Sequence, residues 1–318
     1  MPDIILHHYG KSPYSQKIRS YLGYKGLKWR SHLVPPVPPR PELNALIGGN
    51  RRIPVMQIGA DIFCDSNMIW RTIEKLHPEP EVSRKADYLI HPICRLWEPR
   101  QMIYLAPLRF RSREDAASSF SSQEEMAAFR ADRAPFMAPA TDISKGAEFA
   151  PSAYAHVRMH AYWLEGLLAT SGPLSSPGQF LAGGRPGPAD FSAFHGFWWL
   201  RPSSAKADLF AKMDAFWAWV DRMEALDKGG KPTPITGAEI LAAAKAAEPA
   251  FDLPNSPLAM DPKPGVRVSV TPDDYGKDPV TGDLVSIGAD HVTIRRETPE
   301  AGAVHIHFPR WGYRITPA

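Results

Sequence analysis

The segment from Arg51 to Leu76 narrows the range of possible folds more than any other part of the chain. Arg51-Arg52-Ile53-Pro54-Val55-Met56-Gln57-Ile58 gives a short strand approached through an X-Pro bond, and Gly59-Ala60-Asp61 gives a tight turn. Ile62-Phe63-Cys64 forms a second short strand, after which the chain switches to a helix at Asp65-Ser66-Asn67. That helix carries Met68, Ile69, Ile73 and Leu76 on one face and stops at His77-Pro78. Asp65 and Ser66 therefore fall where unpaired backbone N–H groups and the helix dipole attract an anion. A Ser hydroxyl beside those amides suits a carboxylate, and Asp suits an ammonium, so the pair suits an amino acid head group. Both residues are also ordinary helix caps, and the dipeptide alone leaves the two roles open. Pro54 adds a constraint. A proline leading into a core strand is disfavoured unless a special bond is needed there, and a cis Ile53–Pro54 bond would turn the Ile53 backbone groups toward a ligand.

The order of motifs around this segment resembles the thioredoxin-like domain of the glutathione transferase superfamily. The matching order is a strand at Ile4 to His8, a Ser12-Pro13-Tyr14-Ser15 helix start, a strand at Trp29 to Leu33 and a variable loop. Arg51-Arg52-Ile53-Pro54-Val55, Gly59-Ala60-Asp61 and Asp65-Ser66 follow. The resemblance implies a cis bond at Pro54, with the Ile53 backbone pairing the cysteinyl part of glutathione and Asp65-Ser66 holding its γ-glutamyl group. Asp65 stands where Glu or Gln is commoner, which shortens the reach to the ammonium by one carbon.

Composition sets the outer limits. The chain has 318 residues, enough for two domains and a third small unit. With 37 basic and 34 acidic residues the net charge is +3, which does not point to nucleic acid or to a membrane surface. No apolar run reaches membrane-span length, and Met1-Pro2-Asp3-Ile4 lacks the pattern of a secretion signal. Cys64 and Cys94 form neither a disulfide framework nor a metal pattern, so a reducing, cytoplasmic setting is expected.

The expected fold class is an α/β thioredoxin-like domain over residues 1–82, followed by an all-α helical domain over 84–250. An extra small antiparallel β module over 262–318 completes it, a small barrel such as an SH3 domain. The Pro35-Pro36-Val37-Pro38-Pro39 loop interrupts the first domain as a stiff extended connection, and Pro78-Glu79-Pro80 marks a linker. Helical periodicity runs from Tyr88 to Leu105, Ser152 to Leu168, Pro188 to Leu200, Lys206 to Leu226 and Ala238 to Ala247, with a polar surface stretch at Ser112 to Ser122. Gly187-Pro188-Ala189-Asp190 reads as a helix start with Gly187 at the cap. Alternating strands at Val266–Val270, Leu284–Ile287, Val292–Arg296 and Val304–Phe308 are separated by turn residues. Ordinary members of the family lack these strands, so the resemblance covers residues 1–250.

Chemistry requires a donor where the first helix begins, because dipole and amides stabilise a thiolate there. Pro13 at the first helical position makes Ser12 the cap. By resemblance, Ser12 stands where some members carry a catalytic Ser and others a Cys, and its hydroxyl would donate to the glutathione sulfur. A plain cap is the alternative, and Ser15 and Tyr9 are alternative donors. Without Cys at position 12, a reaction through a protein mixed disulfide is disfavoured. Arg40 and Arg51 are candidates for the glycyl carboxylate, through the bidentate guanidinium fork, or are solvated surface charges. Trp97, Gln101 and Tyr104 fall near one helix face, with Arg100 beside them, and would line a pocket for an apolar or aromatic electrophile between the domains, or simply pack a core. The Phe191, Phe194, Phe197, Trp198 and Trp199 run with Phe216, Trp217 and Trp219 is assigned to packing. His305 and His307, with His291, are read as a sheet surface rather than a metal site.

The resemblance implies a glutathione transferase that uses glutathione as co-substrate, and no metal is expected. Its partner would be a small hydrophobic electrophile, in a detoxification role, and the resemblance implies a homodimer. A non-catalytic protein that binds glutathione or a hydrophobic ligand, and a specialised glutathione-dependent dehalogenase or ether-cleaving enzyme, remain alternatives.

Overall fold

The computed structural model describes residues 3–82, 90–110, 112–117, 119–134, 146–169, 179–181, 183–230, 232–274 and 276–318. The chain divides into two compact units. One comprises Met1–Ile18, Leu27–Ile73 and Lys231–Ala318, and the other Arg19–Gly26 and Glu74–Gly230.

In the first unit β1 (Ile5–His8) and β2 (Trp29–Leu33) run parallel, joined by α1 (Pro13–Tyr24). Parallel neighbours need such a crossover. After α2 (Pro41–Ile47) the chain returns as β3 (Val55–Ile58), antiparallel to β1, then β4 (Asp61–Cys64), antiparallel to β3, then α3 (Ser66–Leu76). The order β2-β1-β3-β4 is that of the expected thioredoxin-like sheet. Met68, Ile69 and Ile73 of α3 are buried as their spacing requires, while Leu76 is exposed.

The second unit is helical among its described residues: α4 (Ile90–Arg109), α5 (Arg113–Ala117), α6 (Gln123–Arg133), α7 (Gly146–Ala169), α8 (Pro188–Leu200), α9 (Lys206–Leu209) and α10 (Asp214–Leu226). The start of the first helix, expected at Tyr88, lies outside the described residues. The polar stretch from Ser112 to Ser122 holds α5, and the Ser122 hydroxyl caps α6 by accepting the Glu125 N–H at 3.1 Å. The run from Lys206 to Leu226, expected as one helix, is broken where Lys212 takes a left-handed φ of 61°. Helix α8 is the apolar centre, its Phe191, Phe194 and Phe197 fully buried with Phe216 and Trp219 of α10. The Phe197 and Phe216 rings meet edge to face at 4.9 Å, which confirms the packing role. Gly23 is obligatory in this unit, because a Cβ there would lie 1.9 Å from the Leu226 carbonyl oxygen.

The chain then re-enters the first unit. β5 (Pro232–Pro234) pairs in parallel with β2 at the sheet edge, where prolines without N–H groups are tolerated. α11 (Gly237–Lys245) begins with a Thr236–Glu239 capping box and packs on α2. Residues 232–250, expected within the helical domain, thus belong to the thioredoxin-like unit, because their partners are β2 and α2.

The C-terminal strands are β6 (Arg267–Pro272), β7 (Val280–Ile287), β8 (His291–Thr298), β9 (Gly302–Pro309) and β10 (Tyr313–Pro317), a last strand that the sequence pattern did not reveal. They form an antiparallel meander in which β10 returns beside β6. They do not stand apart as a separate module. β9 pairs in parallel with β4, from Asp61↔His305 to Phe63↔His307, giving the continuous order β10-β6-β7-β8-β9-β4-β3-β1-β2-β5 among the described strands. Ile62 and Cys64 of β4, Ile240 of α11, and Val268, Ile294 and Ile306 lie in one core cluster. The physical reason is the edge of β4: left open, it would present unpaired N–H and C=O groups.

This junction corrects the surface role expected for the histidines. His307 and His291 are buried, and only His305 is half-buried. His307 Nε2 donates to Asp61 Oδ1 at 2.8 Å, and its Nδ1 accepts the Thr293 hydroxyl at 3.0 Å. Among the described residues no group of three His, Cys, Asp or Glu side chains gathers to hold a metal ion.

Buried neutral histidines give this unit an acid sensitivity. Burial, helped by the neighbouring His32, pushes His7 down to about 3, and burial lowers His307 as well. Below pH 6.5 the unfolded chain takes up protons that the native imidazoles refuse, so stability falls as pH drops toward 3. One such group contributes up to about 1.4 kcal/mol per pH unit, so His7 alone is expected to remove about 2 kcal/mol between pH 6.5 and 5. Urea midpoints at the two pH values measure this, and coincident midpoints would contradict it.

Candidate functional site

Strand register determines what meets at one end of the sheet. His7 of β1 is opposite Val55 of β3, and Val55 is opposite Cys64 of β4. The exit of β1, the start of β3 and the exit of β4 therefore reach the same end. The turn to Ser12, the Ile53–Pro54 peptide and the Asp65–Ser66 helix start all follow from those three points.

Ser12 is the cap of α1. Its hydroxyl accepts the Ser15 N–H at 3.2 Å, its carbonyl accepts the Gln16 N–H at 2.9 Å, and the side chain is buried. Capping uses a lone pair of the hydroxyl and leaves its proton to donate elsewhere. Ser15 is fully buried inside the helix, and its hydroxyl has no hydrogen-bond partner among the described residues. Tyr9 is half-buried in the turn before the helix.

The Ile53–Pro54 bond is cis. Ile53 precedes β3 and lies outside the registered pairs of both neighbouring strands. Asp65 takes a left-handed φ of 81°, uncommon for a residue with a side chain. Its Oδ1 accepts the Asn67 N–H at 2.8 Å and its carbonyl accepts the Ile69 N–H at 3.0 Å, so it caps α3. Ser66 is the first residue of that helix and is buried. Beside them Cys64 is fully buried, which pushes its thiol up to about 12 and removes it as a nucleophile.

The two arginines expected at a carboxylate have other engagements. Arg40 is buried and ties its loop together, donating from Nε to the Pro35 carbonyl at 2.9 Å, from Nη1 to Arg51 at 2.8 Å and from Nη2 to Pro36 at 3.0 Å. Arg51 approaches Asp278 at 3.7 Å beneath a turn in which Gly276, at φ 60°, leaves no room for a Cβ against the Arg51 side chain. Arg52, not singled out from the sequence, forms an ion pair with Asp274, and its guanidinium lies 5.4 Å from the centre of the Tyr313 ring. The adjacent charges Arg51 and Arg52 and the acids of the 273–278 turn were the available signal; nothing local showed that they meet.

The pocket candidates belong to the helical unit. Tyr104 stacks on His156 at 4.2 Å, Trp97 meets His160 at 5.8 Å, and the Arg100 guanidinium lies 5.5 Å from the Tyr104 ring centre. These three stay partly exposed, whereas Gln101 turns inward and donates to the Ala193 carbonyl at 3.3 Å.

Comparison with known proteins agrees with the fold. Residues 6–81 match the family model of the glutathione S-transferase N-terminal domain. A GST-like protein from Pseudomonas syringae is similar over 100% of both chains, with 28% identity and a TM-score of 0.77, so the likeness runs through the C-terminal strands. A glutathione S-transferase of Ceriporiopsis subvermispora, solved in complex with glutathione, shares the fold at 18% identity and a TM-score of 0.54, over 71% of this chain and 97% of that one. Glutaredoxin 2 of Salmonella typhimurium, also solved with glutathione, shares it at 14% identity and a TM-score of 0.51, over 72% of this chain and 96% of that one. No curated protein sequence matches the chain. Residues 6–81 thus carry a glutathione S-transferase N-terminal domain, and over its whole length the chain is similar to a GST-like protein.

Proposed function

We propose that the chain binds glutathione at this end of the sheet and activates its thiol as a thiolate for attack on an apolar or aromatic electrophile. The carrying observation is the register that aligns the Ser12 turn, the Ile53–Pro54 peptide and the Asp65–Ser66 helix start. Glutathione needs a peptide-like contact for its cysteinyl part, a charged grip for its head group and a donor for its sulfur. Ile53, outside the ladder beside Pro54, offers the first. Ser66 and the α3 amides offer the second to the carboxylate, and Asp65 offers it to the ammonium. The Ser12 hydroxyl, at the positive end of α1, offers the third. The thiolate sulfur would attack the electrophilic carbon, a C–S bond would form, and the leaving group would depart with the electron pair. Trp97, Arg100 and Tyr104 are proposed to hold the apolar partner, and the protein is proposed to act as a homodimer. Arg40 and Arg51 are proposed as loop supports, because carbonyls and Asp278 already engage them.

A second reading is a protein that binds glutathione without activating it, with Ser12 serving only as the cap of α1. Thiolate absorbance of bound glutathione against pH separates the two. The expected result is a thiol pKa below the free value in the wild type and a return of about one unit or more toward it in Ser12→Ala. Tight binding with an unshifted thiol in both proteins would establish the second reading, and no binding would remove both.

A further inference from the structure

The C-terminal strands bring one group to the head-group site that no part of the proposed reaction has yet used. Tyr313, the first residue of β10, is only 6% exposed, and its hydroxyl has no hydrogen-bond partner among the described residues. A buried phenol usually finds a partner, since leaving it unpaired costs about 1–3 kcal/mol of desolvation. Packing does not require the hydroxyl: the ring rests on Phe308 at 5.4 Å and beneath the Arg52 guanidinium at 5.4 Å, and phenylalanine would make both contacts. Phe308 follows His307, the partner of Phe63 in β4, Arg52 precedes Ile53, and Cys64 shares the core cluster of Tyr313, so the ring lies near the chain that leads into α3.

We infer that Tyr313 is a binding residue for the amino acid head group held by Asp65 and Ser66, its hydroxyl donating to the α-carboxylate. This rests on the reading that the ligand is glutathione. Charge and donor count fit the assignment. Asp65 and Asp274 supply two carboxylates against the single guanidinium of Arg52, which leaves room for one ammonium. The carboxylate of the same head group then needs donors, and the α3 amides, the Ser66 hydroxyl and the Tyr313 hydroxyl supply them. A phenolic O–H to a carboxylate is a charge-assisted bond, stronger than a neutral one. The Arg52–Asp274 pair, which links the start of β3 to the 273–278 turn, positions the ring. The added strands would thus be part of the binding site as well as a cover for the edge of β4.

Isothermal titration of the full chain with glutathione, and with the analogue whose γ-glutamyl α-carboxylate is a carboxamide, tests this in wild type and Tyr313→Phe. The variant is expected to bind glutathione about tenfold more weakly or worse. The carboxamide should bind wild type more weakly than glutathione does, with no further loss in the variant. Thermal unfolding should be unchanged or raised, because an unpaired buried hydroxyl has been removed, so lost binding is not lost folding. Equal glutathione affinity in both proteins overturns the inference and leaves the glutathione reading intact. Equal losses for glutathione and the carboxamide overturn it too, since the hydroxyl then acts on something other than the carboxylate. Absence of glutathione binding by wild type overturns the reading and the inference together.

Discussion

Asp190→Ala is expected to destabilise the protein by about 3–5 kcal/mol, a large part of the total stability of an ordinary domain. The carboxylate is fully buried and accepts three hydrogen bonds. Leu181 N–H and Trp219 Nε1–H donate to Oδ1, both at 2.8 Å, and Gly187 N–H donates to Oδ2 at 2.9 Å. Alanine leaves all three donors without a partner and without water. It also opens the first turn of α8, where glycine at the cap has no side chain to compensate. Asp190→Asn should fall between the two: its carbonyl keeps the Leu181 and Trp219 donors, and its amide faces the Gly187 N–H. Thermal melts should show a drop on the order of 10 °C for alanine and a smaller one for asparagine. Wild-type melting in both variants would refute the role assigned to this box.

Asp61→Ala should cost a similar amount, about 3–5 kcal/mol, by a different route. Asp61 accepts from His307 at 2.8 Å, from the Ala250 N–H at 2.7 Å and from the Phe251 N–H at 2.9 Å. It joins β9 to β4 and anchors the segment that follows α11. Burial alone would raise the Asp61 pKa, but His307 and the two amides together hold it below the usual value. Its folded pKa being depressed, this contribution is present above about pH 4 and is lost as pH falls through the folded value. The expected signature is local. Limited proteolysis of Asp61→Ala should cut within 250–318 before the helical unit, whereas Asp190→Ala should expose the helical unit. Identical cleavage patterns would show that neither contact is confined to its own unit.

The candidate site was legible to the degree that its residues lie next to one another. A proline leading into a strand and an Asp-Ser pair opening an amphipathic helix are local facts, readable within twenty residues of chain. The cap at Ser12 followed from Pro13, and the α8 box from Asp190 three residues after Gly187. Illegible were the destinations of the arginines. Arg40 has the same composition of neighbours whether it meets a ligand or its own loop carbonyls, and only the folded loop shows that it meets Pro35, Pro36 and Arg51. Gln101 shares its helical spacing with Trp97 and Tyr104, yet its inward turn depends on Ala193 of another helix.

Periodicity and capping chemistry are properties of neighbouring residues, so β1 to β4, α1 and α3, most helices of the second unit and four of the five C-terminal strands follow from the chain as written, whereas α2 and β5 do not. Pairing between β4 and β9, and between β2 and β5, depends on edges with no mark in their own sequence. An edge strand takes whichever partner the rest of the fold delivers, here from 246 positions away for Asp61 and His307. The same long-range delivery brings Tyr313 and Asp274 to Arg52, because packing of distant strands, not local propensity, decides what meets there.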